Sequence, residues 1–370
     1  MENKKVLLGM SGGVDSSVSA LLLKKQGYDV IGITLEMFDN NSNVSLDAKK
    51  VCDELNIPHY IFSCKNEFKE HVIDDFITCY SNCKTPNPCI ECNRYIKFGY
   101  MYEKAKKLGC NYIATGHYAK NEYNKEYDRW VIKKSNAGNK DQTYVLWNIP
   151  KEIIEHTIFP LSDFENKEQI RQIAREAGLE VANKPDSEDI CFVPDGNYKA
   201  FLEQNSSIKP KAGNIVNSKG EILGKHTGLY NYTIGQRKGL GIAYKVPLFV
   251  LGFNKVKNEV IVGEEKELYK KEIYVNNVNL LLVDKIDKPI KVDVKTRYST
   301  KSAKATIIAE GEESKLNDVQ SNEKIDSKCR ENDRSVKIKV VFEEPQRAIT
   351  PGQSAVFYID DIVLGGGKII

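Results

Sequence analysis

Short apolar runs alternate with helical stripes through the first half of the chain. Val6-Leu7-Leu8 is a strand-length run, Val14 to Lys25 repeats apolar positions at a helical period, and Val30-Ile31-Gly32-Ile33 is a second strand. Further units follow: a helix over Leu46 to Leu55, a strand at His59 to Phe62, a helix over Ile96 to Leu108 and a strand at Tyr112-Ile113-Ala114. Strands and helices in that alternation predict an α/β domain with a doubly wound parallel sheet. After about Lys199 the pattern shifts to glycine-punctuated β-branched segments. Gly213 to Val216 and Gly220 to Leu223 read as short strands and hairpins. From about Lys271 the alternation in Val336 to Phe342 and Ala355 to Tyr358 predicts a small antiparallel barrel.

Three domains are therefore expected: an α/β domain over 1–205, a small mostly-β central domain over 206–270 and a C-terminal β-barrel over 271–370. Residues 161–186 pack either with the first domain or with the central one. Gly311 to Arg334 is polar and poor in large apolar residues, which predicts a mobile loop inside the last domain, and Cys329 within it is given no role. Phe342 to Gln353 reads as a turn joining barrel strands, and Gly365-Gly366-Gly367 as a closing turn.

Composition narrows the class. The chain has 370 residues, 41% of them hydrophobic, enough for a sizeable core, and no apolar run long enough to span a membrane. A cytoplasmic protein with no membrane partner is expected. Nine cysteines in such a chain point to metal, redox or nucleophile chemistry rather than a disulfide framework. A net charge of +3 neither demands nor excludes nucleic acid, so any RNA case has to be local.

The segment Gly9-Met10-Ser11-Gly12-Gly13-Val14-Asp15-Ser16-Ser17 follows a strand and opens a helix, where backbone amides and the helix dipole meet an anion. It lacks the Lys-Ser/Thr ending of a Walker loop and resembles the PP-loop of ATP pyrophosphatases. That resemblance implies ATP with Mg2+ as cofactor, phosphates on Ser11, Gly12, Gly13, Ser16 and Ser17, and Asp15 near the metal. Leu35 and Gly116, each just past or at the end of a strand, are placed near the adenine. His117 reads as a structural histidine.

Thr85-Pro86-Asn87-Pro88-Cys89-Ile90-Glu91-Cys92-Asn93 joins a stiffened loop to a C-x-x-C pair, and Cys191 stands far away in Asp189-Ile190-Cys191-Phe192. Together with Lys140-Asp141-Gln142 and Tyr232-Thr233-Ile234-Gly235-Gln236-Arg237-Lys238-Gly239-Leu240, these segments resemble the tRNA-specific 2-thiouridylase family from residue 6 to nearly the C-terminus. The resemblance implies adenylation of a tRNA uridine at its 2-oxygen and replacement of that oxygen by sulfur. Cys191 would carry a persulfide received from a cysteine desulfurase or a sulfur-relay protein, and Cys92 would help release the sulfur.

Many family members have aspartate where this chain has Cys89, and a thiol is a poor substitute for a carboxylate base, with reference pKa values of about 8.5 against about 3.9. Cys89, Cys92 and Cys191 therefore also read as ligands of a [4Fe–4S] cluster, as in related tRNA-thiolating enzymes. A zinc site on Cys79, Cys83, Cys89 and Cys92 leaves Cys191 unexplained. Cys52, Cys64 and Cys110 read as buried free thiols.

By the same resemblance, tRNA is contacted by Asn87, Pro88 and Cys89 near the target base, and by Lys140, Asp141, Gln142, Arg237, Lys238, Arg297 and Tyr298. Basic, amide and aromatic side chains on a glycine-flanked loop suit phosphate contact and stacking. Two other readings remain open. A PP-loop ligase of the argininosuccinate or GMP synthetase type leaves the cysteines idle, and a non-catalytic zinc-containing RNA-binding protein leaves the glycine loop without a purpose.

Overall fold

A computed structural model describes residues 4–39, 42–185, 189–310 and 336–370. The region expected to form a mobile loop, 311–334 with Cys329, lies outside the described residues. The chain forms two compact units. One comprises Met1–Ile77, Asn87–Phe201 and Asp361–Val363, the other Thr78–Pro86, Leu202–Asp360 and Leu364–Ile370.

In the first unit, β1 (Lys5–Gly9) leads through α1 (Val14–Lys25) to β2 (Asp29–Glu36), then through α2 (Ser42–Glu54) to β3 (His59–Ser63) and on to β4 (Tyr112–Ala114). A hairpin of β5 (Lys120–Asn124) and β6 (Arg129–Lys133) precedes the short β7 (Thr157–Ile158). The sheet order is β3-β2-β1-β4-β7, and every pairing is parallel. Val6, Leu7 and Leu8 on β1 are fully buried, as a central strand covered on both faces requires. The chain leaves β1 in one direction toward β2 and returns on its other side as β4. That reversal opens a crevice at the strand C-termini, the usual ligand position in such sheets.

The predicted helix over Ile96 to Leu108 begins earlier and in a different form. Cys92–Tyr100 is π-helical and passes into an α-helix at Met101–Lys107. Gly99 fits that wider turn, because a Cβ there would stand 2.9 Å from the Arg94 carbonyl oxygen. π-Turns inside helices commonly accompany functional sites.

In the second unit, β8 (Gly213–Asn217), β9 (Ile222–His226), β10 (Phe249–Asn254) and β11 (Glu259–Gly263) form a sheet in the order β10-β11-β8-β9. Its core is Ile215, Val250, Val260 and Val262, all fully buried. The barrel follows: β12 (Tyr269–Leu280), β13 (Ile290–Lys295), β14 (Ala303–Glu310), β15 (Lys337–Arg347), β16 (Ser354–Ile359) and β17 (Ile362–Ile369) run in the order β12-β15-β14-β13-β16-β17, and pairing of β12 with β17 closes it.

Two sequence expectations change here. Phe342 to Arg347 is strand rather than turn; its register against β12 jumps from Gln346 to Val341 while β12 advances from Lys270 to Glu272, and this bulge accommodates Pro345. Gly365-Gly366-Gly367 is also strand. A Cβ at Gly365 would stand 2.3 Å from the Asn279 carbonyl oxygen, and one at Gly367 2.9 Å from that of Asn276, so the glycines let β17 approach β12 closely enough to close the barrel.

Candidate active site

The glycine loop leaves the C-terminal end of β1 at the crevice. Its start is tied to β2 by Met10 N–H donating to the Ile33 carbonyl at 2.8 Å, and by the Thr34 hydroxyl donating to the Met10 carbonyl at 2.9 Å. Gly12 takes φ +65°, and a Cβ there would meet the Asp47 Cβ and the Val44 carbonyl oxygen at 2.9 Å, so glycine is required twice over. Gly13 caps α1 with extended backbone and no side-chain cap, which leaves the first-turn amides of the helix to another acceptor. Ser11 N–H donates to Ser16 Oγ at 3.2 Å, and the Ser16 and Ser17 hydroxyls donate to the Gly13 carbonyl at 3.1 and 2.9 Å. Ser17 is fully buried and fixes the loop from beneath, whereas Ser11 is exposed.

Gly116, just beyond β4, faces this loop: a Cβ there would stand 3.1 Å from the Asp15 backbone and Cβ and from Ser16 N. Leu35 lies near the end of β2 and is 8% exposed. Of the residues expected near the nucleotide, Gly9, Met10, Ser11, Gly12, Gly13, Val14, Asp15, Ser16 and Gly116 therefore converge around the end of β1, and Leu35 sits one strand away.

Sequence reading missed several side chains at this loop. Tyr118 donates its hydroxyl to Asp15 Oδ1 at 2.8 Å, and Lys167 Nζ lies 2.5 Å from Asp15 Oδ2. Lys184 Nζ donates to the Gly12 carbonyl at 2.9 Å and to Asp47 Oδ2 at 2.6 Å. No local pattern announces these lysines; the fold brings them back.

The cysteines lie in the same unit. Asn87 accepts the Cys89 N–H on its side-chain oxygen at 3.2 Å and Pro88 occupies the first turn, so a short helix starts and carries Cys89 and Cys92 one turn apart. Cys89 is exposed, and Cys92 is 7% exposed with its Sγ 4.0 Å from Met37 Sδ. Burial pushes the Cys92 thiol up to about 12, with Lys97 pulling the other way and the thiols of Cys191, Cys89 and Cys64 adding to the rise. Cys191 is exposed, yet its thiol sits deep enough among neighbouring atoms that desolvation raises its pKa; Cys89 adds to the rise and Lys97 opposes it.

Cys92 and Cys191 thus share one electrostatic neighbourhood with Cys89 and Lys97. His117 belongs to it too. Burial holds this histidine well below its ordinary pKa, the Lys97 charge acts in the same direction, and its Nδ1 shares a 2.8 Å hydrogen bond with the Thr115 hydroxyl. A neutral, hydrogen-bonded histidine is the structural role read from the sequence.

Among the described residues no three His, Cys, Asp or Glu side chains stand together in a way that would hold a metal ion. In this arrangement the cysteines do not fit a cluster or a zinc ion. Cys52, Cys64 and Cys110 are buried free thiols.

The residues expected to meet tRNA are spread over both units. In the first, Lys140 is exposed, the Asp141 carboxylate accepts Ser135 N–H at 2.9 Å and the Thr143 hydroxyl at 2.5 Å, and Gln142 Oε1 accepts Tyr118 N–H at 2.9 Å. Asp141 and Gln142 thereby shape the loop beside Tyr118. In the second unit, Arg237 and Lys238 are exposed on a loop whose Gly235, Gly239 and Gly241 all have positive φ. Arg297 Nη2 donates to the carbonyls of Ile234 and Ala348 at 3.1 and 2.8 Å and to the Thr350 hydroxyl, which ties the Arg237 loop to the barrel. Tyr298 is exposed beneath the Lys295 ammonium, 5.3 Å from its ring centre.

A parallel sheet with a glycine loop at its reversal point is the plan of an α/β nucleotide-handling domain, and a match to the tRNA methyl transferase HUP domain over residues 4–195 assigns it to that class. Residues 199–264 match the tRNA methyl transferase PRC-barrel domain and residues 320–369 the aminomethyltransferase β-barrel domain. The tRNA-specific 2-thiouridylase MnmA of Clostridioides difficile (strain 630) is 46% identical over 378 residues, covering 99% of this chain and 98% of that protein. The protein of the same name from Clostridium perfringens (strain 13 / Type A) is 46% identical over 382 residues, covering 100% and 99%. The chain belongs to the tRNA-specific 2-thiouridylase family, and it is an enzyme.

Among solved structures, the U34-tRNA thiolase NcsA from Methanococcus maripaludis with its [4Fe-4S] cluster is 21% identical, with a TM-score of 0.34 over 56% of this chain and 69% of that one. So distant a likeness carries no inference about a cluster here. No helix among the described residues is long and apolar enough to cross a membrane.

Proposed function

We propose that this enzyme uses ATP to replace the 2-oxygen of the wobble uridine of tRNA with sulfur, through an adenylated base and a persulfide on Cys191. The observation that carries the reading is the pairing, in one unit, of an uncapped glycine loop at the sheet reversal with Cys92 and Cys191, which act on one another electrostatically beside Lys97. The loop's first-turn amides and small residues fit a polyphosphate. Asp15 offers the oxygen donors that Mg2+ prefers, and the ion would neutralise phosphate charge there.

In the first step the uracil 2-oxygen attacks the α-phosphorus of ATP, the bond to the β-phosphate oxygen breaks and pyrophosphate leaves. Adenylation converts a poor leaving group into AMP. The terminal sulfur of the Cys191 persulfide then attacks C2, a C–S bond forms and AMP departs with the former uracil oxygen. Next the Cys92 thiolate attacks the Cys191 sulfur, which breaks the S–S bond, leaves 2-thiouridine and joins Cys92 to Cys191 as a disulfide. The transferred sulfur gains two electrons and the two cysteines lose them, so an external thiol must reduce the disulfide before the next cycle.

Burial of Cys92 keeps it a neutral thiol before the persulfide arrives, which protects it from side reactions. Lys97 supplies the charge that favours the anionic sulfurs when they form. No step passes through a metal cluster. The persulfide sulfur comes from a cysteine desulfurase or relay protein, and the protein works in the cytoplasm, where tRNA resides. Asn87, Pro88 and Cys89 are assigned to the target nucleotide, and Lys140, Asp141, Gln142, Arg237, Lys238, Arg297 and Tyr298 to the body of the tRNA.

The test is Cys191→Ala protein supplied with tRNA, ATP and a persulfide donor. Pyrophosphate release on tRNA addition should persist while sulfur incorporation falls by at least about 10³-fold, the scale of losing a nucleophile. Undiminished thiolation by Cys191→Ala would remove the persulfide from that residue.

A further inference from the structure

The glycine loop carries no cation of its own, and its one charged side chain is Asp15. A polyphosphate carries more negative charge than one Mg2+ ion at Asp15 would neutralise, and the backbone amides add only partial charges. Two lysines from far along the chain supply the missing charge. Lys184, 172 positions beyond Gly12, brings its ammonium to the loop carbonyl at 2.9 Å, and Lys167, 152 positions beyond Asp15, reaches that carboxylate at 2.5 Å.

Both are held firmly. Asn166 caps the helix Lys167–Glu176 by accepting Gln169 N–H at 3.1 Å, which fixes Lys167 as its first residue. Ile170 and Ala174 on that helix, and Leu179, Val181 and Ala182 after it, are buried in the same core as Val14 and Val18 of α1. Arg171 Nη1 donates to the Ala182 carbonyl at 2.8 Å and closes the segment on itself. The lysines are therefore delivered to the loop by packed elements and not by free chain.

We infer that Lys167 and Lys184 form a two-armed cationic clamp on the polyphosphate of ATP and retain it as pyrophosphate leaves. This rests on the reading of the loop as the ATP site. Asp15 and the Gly12 carbonyl with Asp47 are resting partners of the two ammonium groups, and the phosphates compete for them. Lys184 is 39% exposed at its side chain and Lys167 16%, so Lys184 is the outer arm and Lys167 the inner one. A charge-assisted contact with phosphate is stronger than one with a neutral carbonyl, which favours the exchange at Lys184.

The test compares ligands that share a nucleoside and differ in phosphate. Binding of ATP, of adenosine and of inorganic pyrophosphate is measured by calorimetry for the full-length protein and for Lys167→Ala, Lys184→Ala and Lys184→Arg. Each alanine variant should weaken ATP and pyrophosphate by about tenfold or more while adenosine binds as before, and Lys184→Arg should recover most of the loss. Adenosine also reports whether the site is still folded. Alanine variants with an unchanged ratio of ATP to adenosine affinity, or with both ligands weakened alike, would show the lysines to be structural ion pairs only. Unaltered protein that binds neither ATP nor pyrophosphate would overturn the loop assignment and the clamp with it.

Discussion

The glycine loop and the cysteine cluster sit in one unit and are built on opposite plans. The loop is made of consecutive residues tied by hydrogen bonds to one another and to β2, with little room for a side chain at Gly12 or Gly116. The cluster is made of residues about a hundred positions apart, and burial, the π-turn and one lysine govern it. One site is prepared before its ligand arrives. The other buries the Cys92 thiol and keeps it protonated.

The loop half of that contrast predicts the larger effect. Gly12→Ala should cost about 2–5 kcal/mol, from the left-handed backbone and the 2.9 Å contacts with Asp47 and Val44 together. Gly27→Ala, also at positive φ but with nothing within 4 Å, should cost only about 1–2 kcal/mol. Urea unfolding of both variants checks the difference, and ATP titration should show binding lost in the first alone. Equal destabilisation would mean that the loop is not sterically fixed.

The cluster half predicts a difference in rate. At pH 8, iodoacetamide should label exposed Cys191 at least about tenfold faster than Cys92, whose buried thiol stays protonated. Cys92 labelling should climb as pH rises toward 12. The sign for stability follows: the folded state keeps a proton on Cys92 that the unfolded chain loses above about 9, so this contribution is complete below pH 9 and is lost as pH rises toward 12. Peptide mapping of the alkylated protein reads both rates, and equal labelling would contradict the burial of Cys92.

The same contrast explains what the sequence disclosed. The loop was legible because its signal is local: a strand, small residues and a helix start within Val6 to Lys25. The parallel order of the sheet followed from the alternation of elements. The C-x-x-C pair was visible by spacing and its partnership with Cys191 came from the family resemblance, but the influence of Lys97 on these thiols was not legible, since tertiary packing brings it about. Lys167 and Lys184 were missed for the same reason. Gly365-Gly366-Gly367 misled because glycine serves turns and close strand contacts alike, and only the Asn276 and Asn279 carbonyls facing it tell which. Phe342 to Arg347 misled because Pro345 reads as a breaker unless a bulge absorbs it.

The central claim is that activation and sulfur delivery are separate events at these two sites, joined by an adenylated base. It is tested most directly by following the uridine 2-oxygen. tRNA carrying 18O at C2 of the wobble uridine is thiolated with unlabelled ATP in ordinary water, and the products are analysed by mass spectrometry. The account predicts one 18O in the phosphate of AMP for each 2-thiouridine formed. Label found in water or in pyrophosphate, with none in AMP, would contradict it.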